Sequence, residues 1–437
     1  MTITPTSVRA HEILDSRGRP TLHVELTTST GESTEGSTGV SFVAQVPSGA
    51  STGSGEAVEL RDHDPERYAG SGVLTAVGHV NEAIAETLVG QAFADLADLD
   101  GTLLALDGTQ DKGNLGANAI VGVSMAAARA FAAAAHQPLW SYLRIDGAAP
   151  RLPVPHFNVV NGGAHAPNAL DFQEFMIAPI GAPSYAEAVR AGAEVYSKLR
   201  ARLAAAGYAT GLGDEGGFAP DLSHPDEVLE ILVAAIEDAD YVPGHTGVAI
   251  ALDPAASEFG KDGTYTVAGK TWSTDDLIGY YEELIGRFPI WSIEDGLGED
   301  DFSGWQALTA RLGDRVQLVG DDNFVTNPRI ISQAIEHGIG NAALIKVNQI
   351  GTITETLEAL RLCRQAGYGA MISHRSGETP DTFIADLAVG SGCGQIKSGA
   401  PARGERVAKY NRILEIDSDA RRSGDDDATL AFGIEAQ

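Results

Sequence analysis

Short apolar runs in the second half of this chain alternate with helical patterns, and most of the runs end at an ionisable side chain. Amphipathic patterns such as Asp226–Asp238 and Thr354–Gln365 fill most of the intervals. Apolar strands separated by helices are typical of a parallel sheet that is buried on both faces. So many units in one segment favour a closed α/β barrel of the (β/α)8 type over an open sheet. The runs are Val248–Leu252, Ile290–Ile293, Val316–Val319, Ala342–Val347 and Gly369–Ile372.

The residues before Leu143 have a mixed pattern. The proline-rich segment Pro150–Pro155 is the best candidate for a domain boundary. We therefore expect a small α+β domain over residues 1–143, followed by a barrel domain over residues 144–437. In the first domain the patterns predict two strands and two helices, at Thr21–Thr27, Gly39–Val46, Gly72–Val89 and Ala117–Ala135.

The charge balance excludes several partners. The chain has 60 acidic and 30 basic residues, a formal net charge of −30, and so negative a surface repels nucleic acids and anionic membranes. The apolar run Ala126–Ala135 is too short to span a bilayer, and no stretch of 18 or more apolar residues occurs in the sequence. Two cysteines, Cys363 and Cys393, give no disulfide framework. We expect a soluble, cytoplasmic protein with neither nucleic acid nor membrane as a partner.

Ionisable residues collect where the predicted strands end. Helix capping would explain one aspartate at such a position, but lysine and arginine are unfavourable at helix N-termini because the helix dipole is positive there. Active sites of (β/α)8 barrels lie at the carboxyl ends of the strands. The sequence therefore predicts a site built from Asp253, Glu294, Asp295, Asp321, Asp322, Lys346, His374, Arg375 and Lys397.

Part of this set suits a metal ion. Asp253, Glu294 and Asp321 offer carboxylate oxygens without a competing cluster of Cys or His, and oxygen ligands with open positions suit Mg²⁺. A lysine beside a divalent cation has a lowered pKa, so Lys346 is a candidate general base.

Another part suits an anionic substrate. Arg375 and Lys397 can clamp a group such as phosphate, and Ser376 adds a hydroxyl. A metal, a lysine base and an anion clamp together suggest proton abstraction next to a carboxylate, with Mg²⁺ stabilising the enediolate.

An acid is also needed, and the string GLGDEGGFAP offers two candidates, Asp214 and Glu215. The same string contains G-x-G-x-x-G at Gly211, Gly213 and Gly216, a pattern that can mark a dinucleotide site. We disfavour that interpretation because no clear strand precedes the pattern and two carboxylates would face the pyrophosphate. A carboxylic acid near the metal is the better role for Glu215, with Asp214 as its rival.

Two further loops carry candidate residues. Ser48–Gly53 (SGASTG) lacks the lysine of a P-loop. It is either a flexible linker or a mobile lid whose Ser51 adds an oxygen ligand when substrate arrives. The string NGGAHAPNALDFQEF contains His165, Gln173 and Glu174, although a lone histidine is more often structural than catalytic.

Many strings, in the order in which they occur, resemble those of the enolase family. They include LDSRGRPT, VPSGASTG, LGANAIVGVSMA, FNVVNGGAHA, FQEFMIAP, GLGDEGGFAP, ALDPAASEF, SIED, GDDNFVTNP, LIKVNQIGT, SHRSGET and QIKSGAPARGERVAKYN. The resemblance covers nearly the whole chain. It implies a small amino-terminal α+β domain, followed by a TIM-like (β/α)8 barrel of enolase type that begins with a ββαα arrangement. It also implies reversible dehydration of 2-phospho-D-glycerate to phosphoenolpyruvate, and an assembly of at least two subunits.

Carried over position by position, the resemblance implies Lys346 as the general base and Glu215, rather than Asp214, as the general acid. The substrate is then a small phosphorylated carboxylate. The residues that would contact it or lie beside it are Arg375, Ser376, Lys397, His165, Gln173, Glu174, Asp321 and His374.

The resemblance further implies two Mg²⁺ ions in each active site. The first is held by Asp253, Glu294 and Asp321. The second enters with substrate and is held by Ser51 on the closing loop.

Several positions depart from the usual family pattern, among them Gly55, Pro167, Gly296 and Gly404. They leave room for a paralogue that acts on a related phosphonate or phosphinate. A non-catalytic binding or scaffold protein is a third hypothesis, which the complete set of ionisable residues argues against. A Rossmann dehydrogenase comes last.

Overall fold

The fold was analysed in a computed structural model, which describes residues 2–29, 39–50, 52–422 and 430–434. The first sheet is antiparallel, in the order β1-β2-β3, with β1 at Pro5–Leu14, β2 at Pro20–Thr28 and β3 at Val40–Gln45. β2 and β3 confirm the two predicted strands. The apolar pattern did not predict β1, because its buried side chains are too few and too irregularly spaced for a clear alternation.

Helices cover one face of this sheet. They are α1 (Leu74–His79), α2 (Ala85–Leu88), α3 (Leu96–Asp107), α4 (Ala117–Ala134) and α5 (Leu139–Tyr142). A π-helical turn at Val80–Ile84 joins α1 to α2, which confirms the predicted helix at Gly72–Val89. The predicted helix at Ala117–Ala135 is α4, and it packs against β2 and β3.

The apolar character of α4 extends further than the sequence suggested. Among the described residues it is the one helix long and apolar enough to cross a membrane, with a mean hydropathy of 1.4 over 18 residues. The helix contains Asn118, Ser124 and Arg129, so it is not a continuous apolar stretch. However, 83% of the helix is buried inside the protein. Small residues allow this close packing: a Cβ on Gly122 would lie 2.6 Å from Val24 Cγ2. A core helix of a folded domain accounts for these properties.

Eight strands form a closed barrel, which confirms the predicted fold. The strands that follow the first sheet are β4 (Arg151–Leu152), β5 (Val154–Asn161), β6 (Glu174–Ala178), β7 (Ala249–Asp253), β8 (Gly260–Lys261), β9 (Thr264–Val267), β10 (Lys270–Ser273), β11 (Ile290–Glu294), β12 (Gln317–Gly320), β13 (Ala342–Ile345), β14 (Gly369–Ser373), β15 (Gln395–Lys397) and β16 (Ala431–Phe432). The barrel order is β11-β12-β13-β14-β15-β5-β6-β7. β6 is antiparallel to both of its neighbours, whereas the other barrel pairs are parallel.

Helices surround the barrel. They are α6 (Tyr185–Ala205), α7 (Pro225–Asp238), α8 (Thr274–Arg287), α9 (Phe302–Leu312), α10 (Pro328–His337), α11 (Val347–Ile350), α12 (Ile353–Ala366), α13 (Phe383–Ser391) and α14 (Gly404–Arg422). α7 and α12 confirm the two predicted amphipathic helices. Because α6 and α7 both follow β6, the barrel begins with the ββαα arrangement that the resemblance implied. Local signals set several helix starts, as at α8, where Ser273 and Asp276 form a capping box.

Three segments differ from the simple β/α pattern. The proline-rich segment Pro150–Pro155 is not a linker, because it contains β4 and the start of β5. The run Ala342–Val347 ends as a strand at Ile345, and the backbone N–H of Lys346 donates to Thr326 Oγ1 instead of continuing a ladder. The long interval between β7 and β11 contains the small antiparallel sheet β8–β10. The expected division at residues 143 and 144 stays a prediction.

Backbone and side-chain contacts join the first sheet and its helices to the barrel. Ser48 and Gly377 exchange two backbone hydrogen bonds of 2.8 Å each. Lys112 Nζ donates to Glu355 Oε1 at 3.1 Å on α12. The segment that begins at Ser48 is therefore anchored at the carboxyl edge of the barrel, which is where a lid would have to lie.

Polar and apolar layers fill the barrel interior below that edge. Near the amino ends of the strands, the side-chain amides of Gln317 and Gln395 exchange hydrogen bonds of 2.9 and 2.8 Å. An apolar layer contains Val319, Leu344 and Met371. Because side chains fill the interior in this way, the space around the ionisable residues at the strand ends is closed on the side of the barrel interior.

Candidate active site

Most of the predicted site residues converge on one small cavity at the carboxyl ends of the strands. The cavity has a volume of about 20 Å³, so the side chains around it nearly fill it. Its eleven lining residues are His165, Gln173, Glu174, Glu215, Asp253, Lys346, Ser373, His374, Arg375, Ser376 and Lys397. Ser373 is the one lining residue that the sequence did not predict. Glu294 and Asp321 contact lining residues directly, whereas Ser51 lies outside the described residues.

The ammonium group of Lys397 lies among three carboxylates. Its Nζ donates to Glu294 Oε1 at 2.7 Å, and to Asp253 Oδ2 and Glu174 Oε2 at 3.3 Å each. Burial by itself would lower the pKa of Lys397, but the three carboxylates raise it well above its usual range. The sequence assigned this lysine to an anionic substrate. In this structure it neutralises the acids that were predicted to bind a metal.

The donor set around Lys397 fits a hard divalent cation. Glu294 Oε2 is buried and has no hydrogen-bond partner among the described residues. Burial and the neighbouring charge of Asp253 raise the pKa of Glu294 well above its usual range, so a positive ion would relieve this repulsion. Oxygen-only ligands match the preference of Mg²⁺. Asp253, Glu294 and Asp321 could therefore hold the ion that the sequence predicted.

In the part of the chain that the structure describes, two groups bring possible ligand atoms within 4.8 Å of one another, and the triad of Asp253, Glu294 and Asp321 is not one of them. One consists of Asp295, Asp321 and Asp322, and it shares Asp321 with the predicted triad. The other contains an imidazole and two carboxylates, from His165, Glu174 and Glu215. This second cluster contains Glu215, the residue expected to act as the acid. We therefore interpret it as a group that handles protons.

Lys346 is buried against Asp321. Its Nζ contacts Asp321 Oδ2, and Asp321 Oδ1 accepts a hydrogen bond of 2.8 Å from Gln349 Nε2. Burial would lower the pKa of Lys346, but the carboxylate of Asp321 outweighs it and the pKa is raised. The lowered pKa that the sequence predicts depends on a cation beside Lys346, so it stays a prediction. A lowered pKa requires a cation to compensate the charge of Asp321.

Glu215 lines the cavity, whereas Asp214 is only half-buried and offers its backbone carbonyl to Arg406. Glu215 Oε2 accepts a hydrogen bond of 2.9 Å from Asn158 Nδ2. The position of Glu215 favours it over its rival as the acid. Asn158 was missed because β5 is a buried strand that carries polar side chains, which the apolar pattern does not reveal.

Glu174 and Glu215 are close enough to share a proton. Burial and the charge of Glu215 raise the pKa of Glu174 well above its usual range. Burial would also raise the pKa of Glu215, but His374 and His165 lower it well below its usual range. A proton held by this pair therefore favours Glu174, within reach of an oxygen atom of Glu215 to which it can pass.

Both histidines of the site are buried. His165 Nδ1 lies 3.6 Å from Glu174 Oε1 and 3.8 Å from Glu215 Oε1. Burial lowers the pKa of His165, and it lowers that of His374 to about 4. Both imidazoles are therefore neutral at pH 7. Residue type alone did not predict that His165 belongs to the site, whereas the family resemblance did.

Arg375 is held by a residue that the sequence analysis missed. Its Nη1 and Nη2 donate to Glu56 Oε2 and Oε1, both at 3.0 Å, and Nη1 also donates to Asn348 Oδ1 at 3.0 Å. Burial would lower the pKa of Arg375, but Glu56 raises it. The one signal for Glu56 was its place at the end of the Gly-rich string SGASTGSGE.

Ser376 is likewise engaged by a residue from the amino-terminal part of the chain. Arg17 Nη1 donates to Ser376 Oγ at 3.1 Å, and Arg17 Nη2 donates to the backbone carbonyl of Gly49 at 3.0 Å. Gln173 Oε1 is buried without a hydrogen-bond partner in the described part of the chain. The anion-binding residues are thus tied to the segment that begins at Ser48.

The remaining sequence hypotheses can be compared with the fold. The G-x-G-x-x-G pattern follows helix α6 rather than a strand, which argues against a dinucleotide site. Pro167 and Gly404 are exposed, and a Cβ added at Gly55 or Gly296 would lie 3.2 Å from Val325 or Ile293, respectively. Within the described ranges, none of these four departures lines the cavity.

Comparison with known proteins gives matches over most of the chain. Two family descriptions match it: "Enolase, N-terminal domain" over residues 6–143 and "Enolase, C-terminal TIM barrel domain" over residues 149–426. The chain is 56% identical over 415 residues to a protein of Rubrobacter xylanophilus named "Enolase". The alignment covers 94% of each chain.

Proposed function

This chain belongs to the enolase family, and from that premise we propose that it catalyses the magnesium-dependent, reversible dehydration of 2-phospho-D-glycerate to phosphoenolpyruvate. One observation carries the proposal beyond family membership. A buried lysine, Lys346, and two neighbouring carboxyl groups, those of Glu174 and Glu215, line the same small cavity, so a base and an acid face a single substrate.

We assign the base to Lys346, which takes the proton from C2 of the substrate. The acid is Glu215, which donates a proton to the departing C3 hydroxyl. The pairing of Glu215 with Glu174 supports this role, because the pair retains one proton in spite of the neighbouring cationic groups. Elimination then needs no proton from bulk water.

We propose that the cofactor consists of two Mg²⁺ ions. Asp253, Glu294 and Asp321 would hold the first ion, and Ser51 would help to hold the second when the loop closes. The bound ions would stabilise the negative charge that develops on the substrate carboxylate after proton removal. The oxygen-only donor set and the unpartnered Glu294 Oε2 support the first assignment.

The substrate phosphate and carboxylate are assigned to the cationic and polar lining residues. Arg375 supplies a planar guanidinium that suits phosphate, and Ser376 supplies a hydroxyl. Lys397 would exchange part of its carboxylate contacts for the substrate when a cation binds. The other lining residues that would contact substrate are His165, Gln173, Glu174 and His374, with Asp321 beside Lys346.

We also propose that the protein acts in the cytoplasm as a homodimer or a larger assembly of dimers. Family membership supports the dimer, and two free cysteines, Cys363 and Cys393, are compatible with a reducing compartment. Sedimentation equilibrium of the purified chain tests the assembly. A monomer at micromolar concentration would refute it.

The decisive experiment follows the ultraviolet absorbance of the enol product in a mixture of purified protein, 2-phospho-D-glycerate and Mg²⁺. We expect absorbance to rise with wild-type protein. Replacing Lys346→Ala should abolish exchange of the C2 proton, whereas Glu215→Gln should spare that exchange and block net elimination. Exchange that persists in Lys346→Ala would show that the base is another residue.

The same assay separates the competing functions. A wild-type rate at background with 2-phospho-D-glycerate, but above background with a phosphonate or phosphinate analogue, would indicate the paralogue. Background rates with every such compound would favour a binding or scaffold protein.

A further inference from the structure

Arg406 is a fully buried arginine that joins three segments around the acid site. Its guanidinium donates to the backbone carbonyls of Arg375 and Ser376, each at 2.6 Å, and to that of Asp214 at 3.2 Å. It also donates to Ser16 Oγ at 3.3 Å. These contacts fix the position of the guanidinium group behind the cavity.

The same guanidinium contacts the imidazole of His374. Its Nη1 lies within hydrogen-bond distance of His374 Nδ1. A guanidinium has only donors, so Nδ1 must be the acceptor and carries no proton. In a neutral imidazole the proton is then on Nε2, which lies 3.2 Å from Glu215 Oε2. The contact thereby selects one tautomer of His374 and directs its N–H at the acid.

We propose that Arg406 is a positioning residue that keeps His374 neutral and in the Nε2–H tautomer, so that the catalytic proton stays on the Glu174–Glu215 pair. This inference rests on the proposed function, because it concerns the proton that the leaving hydroxyl receives. Arg406 acts through His374 and does not line the cavity among the described residues.

The competing reaction is a proton transfer within the site. The O–H bond of the carboxyl pair would break, an N–H bond would form at the ring nitrogen of His374 that carries no proton, and the resulting imidazolium would lie beside two ionised carboxylates. No proton would then remain on the pair for the departing hydroxyl. Arg406 opposes this transfer because it occupies the lone pair of Nδ1 and places a positive charge beside the ring.

The surrounding charges would otherwise favour the imidazolium. Burial lowers the pKa of His374 to about 4 and Arg406 acts in the same direction, whereas Glu215 and Glu378 act against them. Without Arg406, burial would be the one of these influences left to oppose the attraction of Glu215 and Glu378 for a proton on the ring. The charged and titratable groups that face Glu215 among the described residues are His374, His165, Glu174, Arg406 and Lys397.

Arg403 provides a matched control. It lies on the same segment, donates to the carbonyls of Gly213 at 3.3 Å and Ser16 at 2.9 Å, and bonds Glu405. It therefore holds two of the three segments that Arg406 joins, those around Ser16 and Asp214, and its hydrogen bonds do not include His374. Arg403→Gln therefore measures how far the loss of a structural arginine in this segment lowers the rates when His374 keeps its contact.

The test compares wild type, Arg406→Gln, Arg406→Lys and Arg403→Gln in two assays. We expect Arg406→Gln to lower the rate of phosphoenolpyruvate formation about 100-fold at pH 8, the usual contribution of a general acid. Exchange of the C2 proton should stay near the wild-type rate, because Lys346 is not affected. Arg406→Lys should restore part of the elimination rate through its charge, and Arg403→Gln should leave both rates near wild type. An equal loss of both rates in Arg406→Gln would overturn the proposal.

A second measurement needs no variant of Arg406 and no turnover. In protein labelled with ¹⁵N-histidine, the signal that disappears in His374→Asn should show an unprotonated Nδ1 and a protonated Nε2 between pH 6 and pH 8. A protonated Nδ1 in wild-type protein would overturn the proposal even if the enzyme is active. A wild-type enzyme with the expected tautomer but no dehydration would instead refute the proposed function.

Discussion

The guanidinium of Arg375 and the carboxylate of Glu56 form two parallel hydrogen bonds, both 3.0 Å long. Glu56 Oε1 also accepts from the backbone N–H of Gly53 at 3.3 Å and from Gln349 Nε2 at 3.2 Å. Gln349 in turn bonds Asp321. One carboxylate therefore connects the loop after Ser48, the arginine proposed to bind the substrate phosphate and a proposed metal ligand.

The first prediction concerns this connection. In Glu56→Gln the amide can accept from only one guanidinium nitrogen and turns an NH₂ group toward the other, so Arg375 loses its fixed orientation. We expect the KM for 2-phospho-D-glycerate to rise about tenfold, which corresponds to about 1.4 kcal/mol. Glu299→Gln is the control, since Glu299 holds Ser54 of the same loop by two hydrogen bonds. Steady-state kinetics that give the two variants equal KM values would refute a specific role for Glu56.

The second prediction concerns Gly49. A Cβ at this position would lie 2.1 Å from Arg375 Nη2 and 2.9 Å from its Cζ, so Gly49→Ala must displace the guanidinium. We expect kcat/KM to fall at least about tenfold, since a misplaced binding group weakens transition-state stabilisation. In Gly404→Ala the new Cβ would have no described atom within 4 Å, and this variant should keep the wild-type value. Equal kcat/KM values in both variants would show that the loop accommodates the added Cβ without disturbing Arg375.

The third prediction concerns the metal. Mg²⁺ at about 100 times its Kd should stabilise the fold by about 2.7 kcal/mol, and a chelator should reverse the rise in Tm. Glu294→Gln should abolish that rise without lowering the Tm of the metal-free protein, because the buried carboxylate already repels Asp253. Asp314→Asn, at an exposed position, should respond like wild type. A full Mg²⁺ response of Glu294→Gln in a thermal-unfolding assay would exclude Glu294 as a ligand.

The fourth prediction concerns Asp100, a buried acid that accepts hydrogen bonds from the N–H and Oγ1 of Thr354. Burial raises its pKa from 3.8 to about 6 in the folded protein. The folded state therefore binds the proton more tightly than the unfolded state, and Asp100 makes stability fall as pH rises through this window. Its contribution is about 3 kcal/mol between pH 3.5 and pH 7.

Asp100→Asn should remove most of that fall. Denaturant unfolding at the two pH values measures the loss for wild type and for the variant, so that the other titrating groups cancel. Glu86→Gln, on an exposed turn of α2, is the control and should show the wild-type difference. An unchanged difference in Asp100→Asn would mean that Asp100 is ionised throughout the window.

The strand-end residues show how far local patterns reach. In a parallel barrel all carboxyl ends lie at one rim, so an ionisable residue after each apolar run has a determined location once the strands are recognised. Asp253, Lys346 and His374 could be placed in this way. β5 could not be recognised in this way, because polar residues such as His156 and Asn161 are buried inside it and interrupt the apolar pattern.

The sequence by itself determined the barrel, its family and the chemical types gathered at its rim, because periodicity and residue type are local properties. Only the tertiary structure revealed that Glu56 holds Arg375, that Arg406 sets the tautomer of His374, and that Asp321 raises the pKa of Lys346. These pairings join side chains that can lie hundreds of residues apart, and they depend on distances of a few ångströms and on exclusion of water. Neither quantity is encoded in the spacing of residues along the chain, so the ionisation of the site is decided by the fold.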